Sequence, residues 1–223
     1  MIPVDVIIPA LNVSSTIEAT VGSVRMKVRE VIVVDGGSSD DTVSIAKNAG
    51  AKVVSAPRGR GVQLAAGATE SDSDWLMFLH GDTVLQPGWD DEIRIFIDEA
   101  KGKEQAAAFR FMLSDDRRRA RMIEKGVAWR CRRLGLPFGD QGLVISRHFY
   151  DRLGGFKPYP LFEDVEIVRR IGKARLRMLD SAAMTSAARY RRTGYISVPI
   201  RNLILLRLYL CGVAPRILVR FYV

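Results

Sequence analysis

Two carboxylates in this chain stand where an apolar run meets glycine. Asp35 closes "EVIVVD" ahead of Gly36-Gly37, and Asp82 closes "LMFLHGD" with His80 just before it. A carboxylate so placed can accept hydrogen bonds from a ribose or a base, while the glycines let a ligand approach the backbone. The imidazole beside Asp82 can hydrogen-bond a phosphate or ligate a cation. "RGRGVQLAAGA", Arg58 to Ala68, offers Arg58 and Arg60 as cationic contacts to phosphates. Each pattern also has a plain structural reading: turn chemistry for Asp35-Gly36-Gly37-Ser38, a stacked or hydrogen-bonded ring for His80, and a solvated loop for the two arginines.

Strand ends are the place to look because ligands of open α/β sheets collect at the carboxyl ends of parallel strands. "VDVIIP", Val4 to Pro9, and "EVIVVDGG", Glu30 to Gly37, are β-branched and nearly continuously apolar, the pattern of strands buried on both faces. Between them "SSTIEATVGSV" predicts a helix with Ser14 or Ser15 as its cap and Glu18 in capping-box spacing. "SSDDTVSIAKNAG" predicts a second helix ending at Gly50, and "AKVVSA" a third strand. A helix near Gly61 to Thr69 then leads into the run "DWLMFLHGD". Strand and helix thus alternate through short connections, the signature of a parallel sheet.

Further on, "AAAFRFML" reads as a strand. Asp116 to Leu134 reads as a basic helix with Ala120, Ile123, Val127, Cys131 and Leu134 in one apolar stripe. "GLVISR" is a strand, "HFYDRLGGF" a short helix, "EDVEIVRRIGK" a helix with carboxylates in its first turn, and "LRMLD" a strand.

With 223 residues, 48% hydrophobic and 26% charged, the chain can bury a sizeable core, and one domain is the simplest count. A net charge of +9 draws anions to the surface: nucleotides, sugar phosphates, nucleic acid or an acidic membrane face. Cys131 and Cys211 form no ligand-spaced cluster, so neither a disulfide framework nor a zinc site is expected and a reducing cytoplasm suits the chain. "MIPVDVIIPALN" has no basic leader before its short apolar run, so neither a signal peptide nor an N-terminal anchor is expected. There is no G-x-G-x-x-G after the first strand and no P-loop motif, which removes support for a classical dinucleotide domain or a P-loop NTPase.

Taken in order, "VIIPALN", "EVIVVDGGSSDDT", "RGRGVQLAAGA", "LMFLHGDTVLQPGW", "GDQGLVISR", "LGGF" and "FEDVEIVRRI" resemble the family 2 glycosyltransferases. The resemblance covers nearly the whole chain. It is nearest to a small branch carrying an H-x-D-T segment and G-D-Q-G, the selenium- and radical-SAM-associated transferase 2 group. It implies a GT-A fold of the α/β class: a Rossmann-like, mainly parallel nucleotide-binding sheet flanked by helices, with a C-terminal helical, amphipathic extension. One domain over 1–223 would comprise a nucleotide-binding half (1–90), an acceptor-binding half (91–195) and a basic C-terminal segment (196–223).

The resemblance also implies roles. Pro9, Ala10 and Asn12 would line base and ribose, Asp35 with Gly36 would meet the base, and Arg60 and Gln63 would lie near the nucleotide. Asp82 matches the last carboxylate of the family's D-x-D motif, which holds a divalent cation, Mn²⁺ or Mg²⁺, against the donor's diphosphate. Asp164 in "FED" matches the catalytic base of an inverting transfer from a nucleotide sugar to an acceptor hydroxyl, and Glu163 beside it would contact the substrate. Asp140 and Gln141, flanked by glycines, suit recognition of acceptor hydroxyls or the donor sugar, or simply a polar loop before the next strand.

Two positions depart from the family pattern. Val13 replaces the usual Glu after Asn12, and His80-Gly81-Asp82 replaces D-x-D, where imidazole suits Mn²⁺ better than Mg²⁺. Acidic residues at 163–166 also have a bland role, favouring the macrodipole of a helix start. The basic helix could bind a phosphorylated or lipid-phosphate acceptor, an anionic membrane or nucleic acid, the last without a recognised motif. The apolar, Arg-studded C-terminus is too interrupted to span a bilayer, leaving a surface-lying amphipathic helix, a homodimer contact or packing on its own domain open. Two other functions stay in play: a catalytically silent nucleotide-binding or membrane-peripheral protein, and a sugar-nucleotide nucleotidyltransferase, which lacks its glycine-rich loop here.

Overall fold

A computed structural model describes residues 1–222. It begins with β1 (Ile2–Ala10), α1 (Ile17–Val24), β2 (Val28–Asp35), α2 (Thr42–Asn48), β3 (Lys52–Ser55), α3 (Arg60–Thr69) and β4 (Trp75–Phe78). β5 (Thr83–Leu85), α4 (Trp89–Glu99), β6 (Ala106–Leu113), α5 (Arg118–Leu134), β7 (Leu143–Ser146) and α6 (Arg147–Arg152) come next. The chain continues through α7 (Glu163–Ile171), β8 (Leu176–Thr185), α8 (Ala188–Thr193), α9 (Ser197–Leu210) and α10 (Pro215–Leu218).

The strands form one sheet in the order β3-β2-β1-β4-β7-β6-β8-β5. β1 to β4 are mutually parallel, as their unbroken apolar runs require, since helices cover both faces. β7 joins β4 antiparallel, and β6 and β8 resume the first direction, so the sheet is mixed but mainly one-way. β5 closes the far edge antiparallel to β8. Alternate side chains of β1 and β2 divide between two cores: Val6, Ile8, Val31 and Val33 face one, while Ile7, Ile32 and Val34 face the other.

Several expectations need correction. No Ser14 or Ser15 capping box forms: Thr16 is the N-cap of α1, and its hydroxyl donates to Gly81 O at 2.8 Å, tying the helix to the loop after β4. Helix α4 lies beyond the last motif of the first half, and β8 is twice as long as "LRMLD". Leu134, expected on the buried stripe of α5, is exposed, because the helix ends at Gly135 in a left-handed conformation (φ 61°) as it leaves the core.

Helix α3 lies against β1 and β2 at Gly67, where an added Cβ would sit 2.4 Å from Ile7 Cγ2 and 2.8 Å from Val34 Cγ2. Both neighbours are wholly buried β-branched residues with one preferred rotamer, so neither can retreat. Gly67→Ala is expected to destabilise the fold by about 2–3 kcal/mol, seen as a lowered thermal midpoint, although Ala is the better helix former.

Candidate active site

The ends of β1, β2 and β4 and the start of α3 border the first of two adjoining clefts. Pro9, Ala10, Arg58, Arg60, His80 and Asp82 lie along it. Three of the expected donor-side residues prove to be committed to the loops beneath. Asn12 adopts a left-handed φ of 53°, and its Oδ1 accepts from Ser39 N at 2.9 Å, joining the loops after β1 and β2. Asp35, nearly buried, accepts at Oδ2 from Gly37 N (3.0 Å) and Ser38 N (3.1 Å), the turn chemistry its sequence allowed. Gln63 borders the cleft, but its Nε2 donates to Ala10 O at 2.8 Å and Val34 O at 2.7 Å, capping the carbonyls of two strand ends. Gly36 packs against it, with a Cβ there falling 3.0 Å from Gln63 Nε2. These side chains build a rigid floor for a ligand, and the cleft wall itself comes from Pro9, Ala10 and the cations.

His80, Asp82 and Arg60 also line the second cleft, whose other walls include Asp140, Asp164, Thr185, Arg189, Tyr190, Asn202 and Tyr222. The turn from β4 to β5 sets Asp82: Leu79 N donates to Ile7 O at 3.0 Å, Thr83 N to His80 O at 3.2 Å and Ser186 N to Asp82 O at 3.1 Å. The Asp82 carboxylate accepts one long bond, from Thr185 Oγ1 at 3.4 Å to Oδ1. Its remaining acceptor capacity faces the place where the two clefts meet. His80 is held neutral, because burial and the nearby Arg60 charge lower its pKa against the pull of Asp82 and Asp164.

Asp164 is fixed at both oxygens by backbone donors, Gly139 N to Oδ2 at 2.6 Å and Val165 N to Oδ1 at 2.7 Å. Gly139 sits so close that a Cβ would fall 2.5 Å from His80 Nε2 and 3.3 Å from Asp164 Oδ2. Glycine, imidazole and carboxylate are thus packed together, and the second lone pair of each oxygen stays open to a substrate proton. Phe162, the N-cap two residues before Asp164, carries a left-handed φ of 63° and stacks on Tyr209 of α9 at 5.1 Å. A strained residue before a carboxylate marks a backbone over-determined by its surroundings.

Glu163 turns away from the cleft into full burial, where Arg60 Nε approaches its Oε1 at 2.8 Å. Burial pushes Glu163 up to about 7, with Arg60 drawing it back and Asp164 adding to the rise. The pair pins the guanidinium at the boundary of the two clefts. Gln141 is likewise internal: Oε1 accepts from Arg130 Nη2 (3.2 Å), Phe138 N and Cys131 Sγ (both 3.3 Å), and Nε2 donates to Phe109 O at 2.9 Å. It holds the 138–142 loop from a buried position off the cleft wall.

Asp140 is different. It lines the second cleft, and its Oδ1 is buried without a hydrogen-bond partner among the described residues, so a donor on a ligand would complete it. Burial raises its pKa from 3.8 to about 6, assisted by Asp164 and Asp82 and opposed by Arg130 and Arg60. Because the folded carboxyl holds a proton that the unfolded chain releases near pH 4, its contribution to stability is full below about pH 4 and lost as pH rises to about 6. Asp140→Asn in metal-free buffer is therefore expected to melt roughly 4–8 °C above wild type at pH 7.5 and to converge with it near pH 4, measured by calorimetry.

Sequence patterning alone does not reveal Thr185, Arg189, Tyr190, Asn202 and Tyr222 as cleft residues. The available signal was "MTSAARY", Ser and Thr at a strand end followed by a cation and an aromatic, which extending the strand-end rule to β8 would have found. Among the described residues no group of three or more His, Cys, Asp and Glu side chains is arranged to hold a metal ion. A cation here would have to share the site with oxygens of a ligand.

A parallel sheet closing on strands of mixed direction, with carboxylates at the carboxyl ends of its strands, is the architecture of GT-A glycosyltransferases. The family description "Glycosyl transferase family 2" matches residues 5–159, and the chain belongs to that family. An uncharacterized glycosyltransferase of Rickettsia bellii is 35% identical over 103 residues, covering 46% of this chain and 35% of the relative. A Rickettsia felis counterpart is 34% identical over the same length, covering 46% of this chain and 36% of its own. The chain thus spans little more than a third of these relatives. Among solved structures, glucosyl-3-phosphoglycerate synthase from Mycobacterium tuberculosis, in complex with Mn²⁺, UDP-glucose and phosphoglyceric acid, superposes with a TM-score of 0.63 at 22% identity, covering 94% of this chain and 79% of that one. The same synthase in another crystal structure gives 0.65 at 24% identity, covering 94% and 80%.

Proposed function

We propose that this protein transfers a sugar from a nucleotide-diphosphate donor to an acceptor hydroxyl with inversion at the anomeric carbon. The observation that carries this reading is the meeting of two clefts at Asp82, His80 and Arg60, with Asp164 on the wall of the second cleft alone. The nucleotide would lie along Pro9 and Ala10 with its diphosphate toward Arg60, and the acceptor would occupy the cleft of Asp140, Tyr190 and Asn202.

The residues present fit a divalent cation shared with the donor: Asp82 retains free acceptor capacity, and neutral His80 can donate a lone pair. Such an ion would neutralise the charge that grows on the departing nucleoside diphosphate. Arg60 does part of the same work, as a fixed cation that needs no reorganisation when the bond breaks. Asp164 accepts the proton of the attacking hydroxyl, and its two backbone bonds hold it in position without filling its lone pairs. Asp140 accepts a hydrogen bond from the acceptor and so orients it.

UDP-sugars with Mn²⁺, as bound by the mycobacterial synthase, are the first donors to try. Liberation of nucleoside diphosphate from a panel of nucleotide sugars, followed by coupled assay with simple sugar and phosphorylated acceptors, tests the proposal. Product accumulation that requires both cation and acceptor is the expected result. Pyrophosphate release from a nucleoside triphosphate would favour nucleotidyl transfer instead, and binding without turnover of any donor would favour a silent binding protein.

A further inference from the structure

Helix α9 is apolar on two opposite faces. Val198, Leu205 and Leu206 are buried on the domain, whereas Ile196 just before it and Ile200, Leu203, Ile204 and Leu208 form an outward stripe at helical spacing. Ile196 is 68% exposed and Ile200, Leu203 and Ile204 are just over half exposed, more contiguous apolar surface than scattered exposed side chains explain. From Ser181 onward the chain holds seven Arg and no Asp or Glu. Arg207 on this helix and Arg216 and Arg220 just beyond it are all exposed.

We infer that this face docks on an anionic lipid surface, the Ile and Leu side chains entering the headgroup boundary and the arginines meeting lipid phosphates. Charge decides the occupant. A second copy of the chain would set one arginine-bearing, acid-free C-terminal segment against another, whereas an anionic bilayer is complementary to it. No helix among the described residues is long and apolar enough to cross a membrane, so the contact is peripheral. The inner face of the same helix lines the acceptor cleft through Val198 and Asn202 and stacks Tyr209 on Phe162 beside Asp164. Docking therefore brings the acceptor cleft within about one helix diameter, roughly 10 Å, of the lipid.

Co-sedimentation of the whole chain with vesicles tests this. Partition onto phosphatidylcholine vesicles containing phosphatidylglycerol is expected to exceed that onto pure phosphatidylcholine by about tenfold at low salt and to fall as salt rises. The pair Ile200→Asp with Ile204→Asp is expected to lower partition at least tenfold. Arg207→Glu with Arg216→Glu is expected to remove the preference for the anionic lipid, and serves as the test if the aspartates disturb folding in a thermal melt. Equal recovery of wild type and both variants with every vesicle would overturn the inference. So would a stable dimer in light scattering that the aspartates dissociate, with no vesicle binding. The glycosyl-transfer reading is judged separately, by nucleoside diphosphate release in vesicle-free solution.

Discussion

Asp164→Asn is expected to lower kcat by about 10²–10⁴-fold while leaving the donor's binding constant within about twofold of wild type. The substitution preserves volume and leaves Oδ1 as an acceptor for Val165 N, so the start of α7 should survive. It removes the carboxylate proposed to receive the acceptor proton. Asn also brings a pair of N–H donors into a place where Gly139 N already donates at 2.6 Å, so the amide must turn or the loop must shift slightly. Steady-state kinetics separate the two effects, because a base acts on kcat whereas a displaced loop also weakens acceptor binding. A variant retaining more than about a tenth of wild-type kcat would remove Asp164 from the role, and Asp140, the other carboxylate on that wall, would be the next residue to test.

Asp82→Asn should act on the other half of the reaction. On the proposed function the carboxylate would contribute a full negative charge to a cation held by few protein ligands, whereas an amide oxygen contributes only a dipole. The expected result is a loss of about 10²–10³-fold in kcat/KM together with the loss of cation-dependent tightening of nucleoside diphosphate binding. The fold should tolerate the change, since the side chain accepts only the long bond from Thr185, and Thr185 can instead keep its contact with Thr83 Oγ1 at 3.2 Å. Isothermal titration with and without Mn²⁺ reads the result. Unchanged Mn²⁺ dependence in the variant would mean that the cation, if any, is held elsewhere.

The first half of the fold was legible in sequence because its strands are buried on both faces and its turns are short, so Val4–Pro9 and Glu30–Asp35 announce themselves by composition. Helix α4 is not legible in sequence, although Trp89, Ile93, Phe96 and Ile97 are spaced for one buried face, because three acids after Pro87-Gly88-Trp89 give its start the composition of a solvated loop. At the clefts, the sequence points to the loops that line them but not to the direction of each side chain. Gln63 and Gln141 read as polar contacts for a ligand, yet both turn inward, donating to carbonyls at the ends of β1 and β2 and within β6. Glu163 and Asp164 are adjacent in sequence and opposite in fate, one salt-bridged inside and one on the cleft wall. Only the helix start, with successive residues pointing about 100° apart, separates them.

His80 stands at the junction of the two clefts. Its neutral ring lies among Arg60, Asp82 and Asp164, in contact with the loop that carries Asp140, and lines both clefts. A nucleoside diphosphate and its cation are therefore expected to come together at Asp82 beside this ring. The direct measurement is a crystal of the protein grown with a nucleoside diphosphate and Mn²⁺, with diffraction recorded at the manganese absorption edge. The expected result is one anomalous peak coordinated by the Asp82 carboxylate and the diphosphate oxygens, with the nucleoside along Pro9 and Ala10. A diphosphate bound without metal away from Asp82, or an anomalous peak elsewhere on the chain, would contradict it.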